Sequence, residues 1–348
     1  MLSRLAVTQE CSPQLEVMMA ADRERRDRRT THYWILTLLS LWGLMPTFER
    51  AHACDVCAIY SATTGRESRA GLRLGVAEQF GYFHTLQENG SRIANPGDET
   101  MYSSVTQFVV GYSIDPRFSL QANIPFIARK YRRIEGSVIA DHDEVGIGDI
   151  ALLGRYEFYR FVTDEGMGSF NLLGGVKLPS GDATHLGEEA AEAASASLSR
   201  SGARLAAARA AHPLHGTTEP GQIPSGLHGH DIAFGSGSVD GIVGGSIFLT
   251  YERAFLSLAG QYAIRSEGDF DYQFADDITW SGGPGFYALL DHGYSVALLA
   301  NLSGETKPND SQAGVQSDDT AMTALYVGPA LSFTWGTGLH GEVGPLVR

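Results

Sequence analysis

Two cysteines, Cys54 and Cys57, form a Cys-x-x-Cys pair, the residue pattern in this sequence with the clearest covalent chemistry. In an exported protein two such thiols form a disulfide, and this pair is the disulfide candidate. Covalent haem attachment would need a histidine directly after the second cysteine, where Ala58 stands. Because two thiolates cannot complete a tetrahedral zinc site, a metal or redox role is the lesser alternative.

A second pattern is the pair His228 and His230, whose spacing would place both imidazoles on one side of an extended strand. Two imidazoles can hold a transition metal, but this spacing is not diagnostic, and solvated loop histidines are the simpler interpretation. Acidic residues cluster at 141–144 and at 269–277, where calcium is conceivable and a charged surface loop is simpler. We therefore predict no cofactor, and the two histidines are weak metal candidates only.

The sequence contains no nucleophile elbow, phosphate-binding loop or zinc-protease motif, and we expect no enzyme. The polar residues of interest fall instead on the predicted inner face of strands. These lumen-facing candidates are Arg73, Gln121, Asn123, Arg129, Arg155 and Glu157. Opposed charges on such a face either line a channel or bridge across it and close it, and both alternatives stay open.

The elements that position these residues follow from a regular alternation of apolar and polar residues that begins at Gly71. Leu325, Leu331 and Trp335, for example, alternate with Tyr326 and Ser332. A period of two places each set on one face of a strand. The segments are about 10–15 residues long, near the ~9–11 that cross a bilayer at a tilt, and aromatics cluster near their ends. A transmembrane antiparallel up-and-down β-barrel is therefore favoured over a soluble β-sandwich.

Short turns and long loops alternate between eleven predicted strands. The strands are expected near 71–86, 101–114, 118–132, 147–161, 168–179, 236–251, 254–265, 273–290, 294–306, 319–335 and 338–348. Outer loops are expected at 87–100, 133–146, 180–235, 266–272 and 307–318, and the longest contains an Ala-rich stretch that is either a surface helix or a mobile insertion. Because bacterial barrels have even strand numbers, we expect a 12-strand type that lacks its last strand.

The N-terminal part of the sequence has the features of an export signal. Several arginines precede an apolar run from Tyr33 to Met45, which is too short for a transmembrane helix, and Ala51-His52-Ala53 gives a cleavage pattern. We predict a leader and signal peptide over 1–53, a periplasmic segment over 54–70 and a barrel over 71–348 in the outer membrane of a Gram-negative cell. The formal net charge of -14 argues against nucleic-acid binding.

Several motifs together resemble an outer-membrane β-barrel family of MetA-pathway phenol-degradation type transporters. They are Leu173 to Asp182 (LGGVKLPSGD), Gly235 to Gly241 (GSGSVDG), Gly268 to Tyr272 (GDFDY), Tyr326 to Pro329 (YVGP) and Cys54 to Cys57 (CDVC). The resemblance covers roughly residues 54 to 344 and implies a monomeric barrel with a transport role, with phenolic compounds suggested by the family's label. The Ala-rich insertion and the lack of a strand after Gly344-Pro345 depart from the family's pattern.

These observations predict a porin-like outer-membrane channel or transporter for a small solute, with an aromatic solute implied by the resemblance. Transport would be passive, because no plug domain precedes the first strand. The expected partners are outer-membrane lipid, the small-molecule solute and the barrel-assembly machinery, with the chain as a monomer. The alternative is a non-transporting scaffold that binds a partner protein or a metal through the Cys-x-x-Cys segment or the histidine-containing loop.

Overall fold

The computed structural model describes residues 71–88, 91–136, 138–191, 193–194, 225–291, 293–317, 320–336 and 339–346. The predicted signal peptide, the Cys54–Cys57 pair, the predicted periplasmic segment and most of the Ala-rich stretch lie outside these ranges. Among the described residues, no helix has both the length and the apolar character to cross a membrane.

Strands make up most of the described chain. They are β1 (Gly71–Phe83), β2 (Gln87–Glu88), β3 (Ser91–Arg92), β4 (Thr100–Ser113), β5 (Phe118–Glu135), β6 (Val138–Ile147), β7 (Ile150–Val162), β8 (Gly166–Leu178), β9 (Asp240–Tyr251), β10 (Ala254–Ile264), β11 (Tyr272–Gln273), β12 (Asp277–Leu290), β13 (Tyr294–Lys307), β14 (Ser311–Gln312), β15 (Val315–Gln316), β16 (Met322–Trp335) and β17 (Leu339–Val343). Residues 186–191 and Gly229–Ile232 are helical, and Asp269–Asp271 form a 3-10 turn.

One antiparallel sheet runs in the order β1-β4-β5-β7-β8-β9-β10-β12-β13-β16-β17. Each of these strands pairs with the long strand that follows it in the chain, so the sheet is an up-and-down meander. The eleven predicted strands and their order are therefore confirmed. We call the end with the short connections, such as 114–117 and 252–253, the turn end, and the opposite end the loop end.

The predicted outer loop at 133–146 is wrong, because β6 forms there and pairs with the outer half of β5. Its ladder runs from Phe126↔Ile147 to Glu135↔Val138, whereas β7 pairs with the first half of β5. The polar run Asp141 to Glu144 suggested a loop in the sequence. In the ladder these residues lie opposite Arg132 to Arg129, and opposite charges directly across a strand pair stabilise it.

The edges of the sheet are β1 and β17, and no ladder between described residues joins them. β17 is short, and Pro345 follows it where the chain still lies beside Gly328 of β16. Proline has no N–H to donate to a ladder, which ends the regular pairing there. The missing closing strand stays a prediction.

The two faces of the sheet reverse the usual arrangement of a water-soluble protein. Leu74 and Phe80 on the outer face are 74% and 80% exposed, whereas Lys177 and Asp240 inside are each 1% exposed. Large exposed apolar side chains continue along the outer face of the other long strands. Lipid is the solvent in which an apolar exterior and a polar interior are favourable. The structure is therefore a transmembrane-type antiparallel β-barrel wall.

Exposed aromatic residues mark both ends of the outer face. Near the turn end these are Tyr112, Tyr159, Tyr251, Tyr294 and Trp335, with the rings of Tyr294 and Trp335 stacked 6.0 Å apart. Near the loop end they include Tyr102, whose ring lies 4.5 Å from that of Tyr82, and Trp280. Aromatic side chains prefer the two membrane–water interfaces, so the strand length between the two groups matches one bilayer crossing.

The face assignment predicts different costs for arginine at two neighbouring positions of β16. Leu331 is 40% exposed on the outer face, and Ser332 is 5% exposed on the inner face. Leu331→Arg should destabilise the barrel in lipid vesicles by up to about 2–4 kcal/mol, since the guanidinium would face hydrocarbon. Ser332→Arg should cost less, because its side chain can reach the polar lumen. Urea unfolding in vesicles measures both, and equal costs would contradict the assignment.

Candidate functional site

The described ends of the longest loop fold into the barrel rather than away from it. We call residues 180–191 and 225–235 the inserted segment. Its Phe234 packs on Val105 of β4 and Ile127 of β5, with Ala77 of β1 against the same cluster. Leu227 and Ile232 pack against Met101 and Tyr131, which also face inward. On its other side, the segment contacts Tyr272 of β11 through Ala183, Leu186 and Ala233. The wall therefore curls around this segment at the loop end.

This inward position was missed in the sequence. The available signal was the set of apolar residues Leu227, Ile232 and Phe234, which a solvated outer loop has no reason to carry. All three are now buried. The inserted segment narrows the interior from the loop end, and this is the feature that positions the rest of the site.

A buried ionic cluster holds both ends of the inserted segment. The Lys177 ammonium of β8 donates to Asp149 Oδ2 at 2.6 Å and lies 2.8 Å from Asp240 Oδ2 of β9. Asp149 Oδ1 accepts the N–H of Gly181 at 3.0 Å, and its Oδ2 accepts the N–H of Ser236 at 3.0 Å. One carboxylate thus ties the entry and the exit of the long loop to the same lysine.

The cluster continues along the wall through a second cation. Arg265 Nη1 lies 3.0 Å from Asp240 Oδ2, and its Nη2 donates to Asp277. Lys177, Asp240, Arg265 and Asp277 are all less than one tenth exposed as side chains. Buried charges persist only when they are paired and hydrogen-bonded, as these are. The two motifs LGGVKLPSGD and GSGSVDG, quoted above for the resemblance, supply Lys177, Gly181, Ser236 and Asp240 to this cluster.

A glycine at position 235 allows the entry and the exit of the inserted segment to lie this close together. A Cβ at this position would lie 2.6 Å from both Asp149 Oδ1 and the Gly181 carbonyl oxygen. Any side chain would therefore push the exit of the inserted segment away from its entry. The glycine in the first position of GSGSVDG serves this contact.

A separate histidine–carboxylate network anchors the segment nearer the loop end. His185 Nε2 lies 2.8 Å from Glu144 Oε2 of β6, and its Nδ1 lies 3.2 Å from Glu188 Oε1. Arg133 of β5 holds Glu188 through two hydrogen bonds of 2.7 and 3.0 Å. The hydrogen bond to Glu188, together with Glu144, raises the pKa of His185. Its partners His185 and Arg133 lower the pKa of Glu188 to about 2.

The predicted metal pair His228 and His230 lies in this segment, with the two rings stacked 5.7 Å apart. His230 Nδ1 lies 2.8 Å from Glu189 Oε1, and its ring also stacks on Tyr272. Burial lowers the pKa of His230, but the charges of Asp231 and Glu189 outweigh burial and raise that pKa to about 9. No group of three or more His, Cys, Asp or Glu in the described ranges is arranged to hold a metal ion.

The six predicted lumen residues all point away from the exposed apolar face. Arg129 Nη1 donates to the Ala233 carbonyl oxygen at 3.0 Å and lies over the Phe234 ring, so it supports the inserted segment. Glu157 accepts hydrogen bonds of 2.7–3.0 Å from Arg160 near the turn end. Gln121 donates to Asn123 Oδ1 at 2.6 Å. Their role in lining a conduit stays a prediction.

Two of the six, Gln121 and Arg155, line one cavity on the turn side of the inserted segment. It contains about 620 Å³ of empty space, including its open mouth. Its other lining residues include Ser119, Leu153, Asn171, Leu173, Ser246, Gln261 and Thr279, contributed by strands from β5 to β12. Three buried atoms on the inner face of β4 and β5, Gln107 Oε1, Ser113 Oγ and Asn123 Nδ2, make no hydrogen bond within the described protein. Buried polar atoms of this kind are satisfied by water or by a ligand, so the interior is built as a wet space.

No protein-family model matches the chain, and no curated protein matches it. Among solved structures, the chain is similar to the crystal structure of an outer membrane channel from Pseudomonas putida F1, with 13% sequence identity and a TM-score of 0.47. The match covers 81% of this chain and 90% of that chain. The resemblance to the phenol-degradation family stays a prediction.

The ionic cluster predicts a strong effect of removing its central cation. Lys177→Met would leave Asp149 and Asp240 buried without their shared partner and should destabilise the protein by about 3–5 kcal/mol. The control is Arg132→Gln, which breaks an exposed ion pair with Asp141 and should cost at most about 1 kcal/mol. Urea unfolding followed by tryptophan fluorescence compares the two. A Lys177→Met variant as stable as the control would show that the cluster does not hold the fold.

Proposed function

We propose that the chain is a passive outer-membrane channel for small solutes, and that the inserted segment restricts its path. The observation that carries this proposal is the reversed wall, apolar outside and polar inside, around an interior that contains both a cavity and unpartnered buried polar atoms. A scaffold that only displays loops needs no cavity among its inward side chains, whereas a solute path requires one.

The width of the lumen and the space that the inserted segment occupies limit the size of the solute. Barrels of about twelve strands enclose a lumen much narrower than that of the 16–18-stranded porins. The inserted segment takes up part of that lumen with Phe234, Ile232 and Leu186, which are buried against the wall or against neighbouring inward side chains. What remains is a narrow path with polar and aliphatic lining residues, which suits a small solute.

The two anchors of the inserted segment differ in strength. The Lys177–Asp149–Asp240 cluster is buried, and its charged groups are paired with each other. His185 ties the segment to Glu144 of β6, and His230 ties its two described parts together through Glu189; both histidines hold their charge only while protonated. Movement that widens the path should therefore release the histidine side first.

Replacing part of the inserted segment tests the restriction. Substitution of residues 183–233 by a short Gly-Ser linker keeps Gly181, Phe234, Gly235 and Ser236 at the ionic cluster and removes both histidine anchors. In planar lipid bilayers this variant should conduct more current than the unchanged chain, because the lumen is wider. As a control, linker replacement of residues 313–314 in the β14–β15 turn should leave conductance unchanged. Absence of any current from both the unchanged and the widened chain would favour the scaffold.

The raised histidine pKa values predict how conductance depends on pH. A pKa raised in the folded state stabilises the anchored segment fully below the unfolded histidine value near 6.5, and this stabilisation is lost as pH rises through the folded value, about 9 for His230. Conductance should therefore rise between about pH 7 and 10. The double variant His185→Gln/His230→Gln should conduct more at pH 7 and lose this dependence, whereas His84→Gln, at an exposed pair with Asp98, should keep it. The same pH response in all three proteins would contradict the anchoring role.

A further inference from the structure

We propose that Glu78 and the side chains around it form a contact surface for a membrane-embedded segment of another protein, one that carries a lysine or arginine at the same depth. This inference goes beyond the proposed channel and does not depend on it, because it concerns the face of the barrel wall that is turned away from the lumen.

Glu78 lies at an outward position of β1. Leu74, Val76 and Phe80 occupy other outward positions of this strand and are 67–80% exposed. Ala77, at the inward position between them, packs on the cluster around Phe234 of the inserted segment. Because successive side chains of a strand alternate in direction, the exposed Glu78 points to the same side as Val76 and Phe80. The strand therefore presents a carboxylate within an apolar row.

The strand register places this carboxylate between the two membrane interfaces. The β1–β4 ladder includes Leu72↔Tyr112 at the turn end and Tyr82↔Tyr102 at the loop end, and Glu78 lies opposite Thr106 between them. At ~3.3 Å per residue, Glu78 is about 13 Å along the strand from Tyr82 and about 20 Å from Leu72. Since exposed tyrosines mark the interfaces, the carboxylate lies at the depth of the hydrocarbon layer.

A charge at this depth sets Glu78 apart from the rest of the outer face. Between the two groups of aromatic residues, it is the one charged residue at an outward position of the described strands. Phe126 of β5, which lies opposite Thr106, is typical of the apolar residues there, whereas Lys130 is already level with Tyr102 at the interface. A charged side chain in hydrocarbon is unfavourable unless it is paired, so such a residue indicates a contact that pairs it.

Hydrogen bonds within the wall satisfy the Glu78 carboxylate only in part. Ser104 Oγ donates to Glu78 Oε1 at 2.7 Å, and Thr106 Oγ1 donates to Glu78 Oε2. Both hydroxyls come from outward positions of β4, so the polar surface spans two strands. Neither group is a cation, and no described residue forms an ion pair with Glu78. A carboxylate has about four acceptor sites, which leaves one site on each oxygen for a donor from outside.

These two open acceptor sites and the charge define the chemistry of the partner. An ammonium or a guanidinium supplies both a positive charge and donors, and the guanidinium fork matches two carboxylate oxygens. Lipid headgroups carry their charges outside the hydrocarbon layer. A second copy of this chain would bring no lysine or arginine at this depth on the outer face of its described strands. A different protein, with one such residue among apolar side chains that cover Val76 and Phe80, therefore fits the surface.

The alternative is that Glu78 only reinforces the pairing of the edge strand β1 with β4. The two interpretations predict opposite effects in the isolated barrel, where no partner is present. In lipid vesicles, Glu78→Leu should shift the midpoint of urea unfolding upward, because the carboxylate it removes faces hydrocarbon without a cation. A midpoint that moves downward would show that Glu78 serves the fold itself and would overturn the proposal.

Association with a defined peptide tests the contact directly. The purified full-length protein is placed in phosphatidylcholine vesicles with a dansyl-labelled, leucine-rich transmembrane helix that carries one lysine at the depth of Glu78. Energy transfer from the tryptophans of the barrel to the dye measures association. The lysine helix should associate about tenfold more tightly than the same helix with leucine in place of the lysine, as expected for one ion pair in hydrocarbon.

Two variants of the chain separate the charge of Glu78 from other effects. Glu78→Gln keeps the size of the side chain and its hydrogen bonds to β4, and it should abolish the preference for the lysine helix. Asp143→Asn removes an outward carboxylate of β6 that lies opposite Lys130, level with the interface, and it should keep the preference. Heat-modified migration in gels confirms that each variant is folded. Equal association of the two helices with the unchanged chain, or a preference that survives in Glu78→Gln, would refute the contact surface.

Discussion

Hydrocarbon cannot hydrogen-bond to a backbone, and this one constraint organises the molecule. Every N–H and C=O that crosses the bilayer must pair with a neighbouring strand, which permits a continuous antiparallel ladder and little else. Strands β4 and β5 pair without a break from Thr100↔Arg132 to Ser113↔Ser119. Because the backbone groups of the two strands are paired, their outward side chains are free to be apolar. Because successive residues alternate in direction, the same ladder forces the other half of the side chains inward, where they must be compatible with water and with each other.

The inward half is therefore where the chain places its charges. Lys177, Asp149 and Asp240 come from the ends of neighbouring strands at the loop end, and there they close the base of the longest connection. Without such a junction, a connection of this length would be free to leave the lumen. Asp149 binds the N–H groups of Gly181 and Ser236, so the entry and exit of the loop are held together and both directed inward. The wall thus determines where the inserted segment begins, and the segment in turn determines which part of the lumen stays open.

Much of this arrangement could be predicted from the sequence, and the parts that were missed have identifiable physical causes. The eleven strands of the meander could be predicted because a period of two survives in each of them, and the inward direction of Gln121 and Arg155 followed from the same period. β6 was missed because Asp141 to Glu144 look like a solvated loop until their cross-strand partners on β5 are known. The ionic cluster was missed because Lys177, Asp240 and Arg265 are distant in sequence and meet only through the register of β8, β9 and β10.

In the ionic cluster and the histidine network at the loop end, acidic side chains outnumber basic ones, and in the proposed channel this excess has consequences for a solute. Near the loop end, Asp149, Asp240 and Asp277 outnumber Lys177 and Arg265, and Glu144, Glu188 and Glu189 surround the histidines. On the turn side, Arg155 lies near Arg73, and Glu157 accepts a hydrogen bond from Arg160. An anion that entered the proposed channel from the loop end would meet repulsion there, and protonated His185 and His230 reduce that repulsion. In the proposed channel, histidine protonation would therefore act on a negative solute in two opposed ways, since it holds the inserted segment in the path and also lowers the electrostatic barrier along it. The net effect of protonation therefore depends on the charge of the solute. A neutral molecule is obstructed by the inserted segment but is not repelled by the acidic side chains.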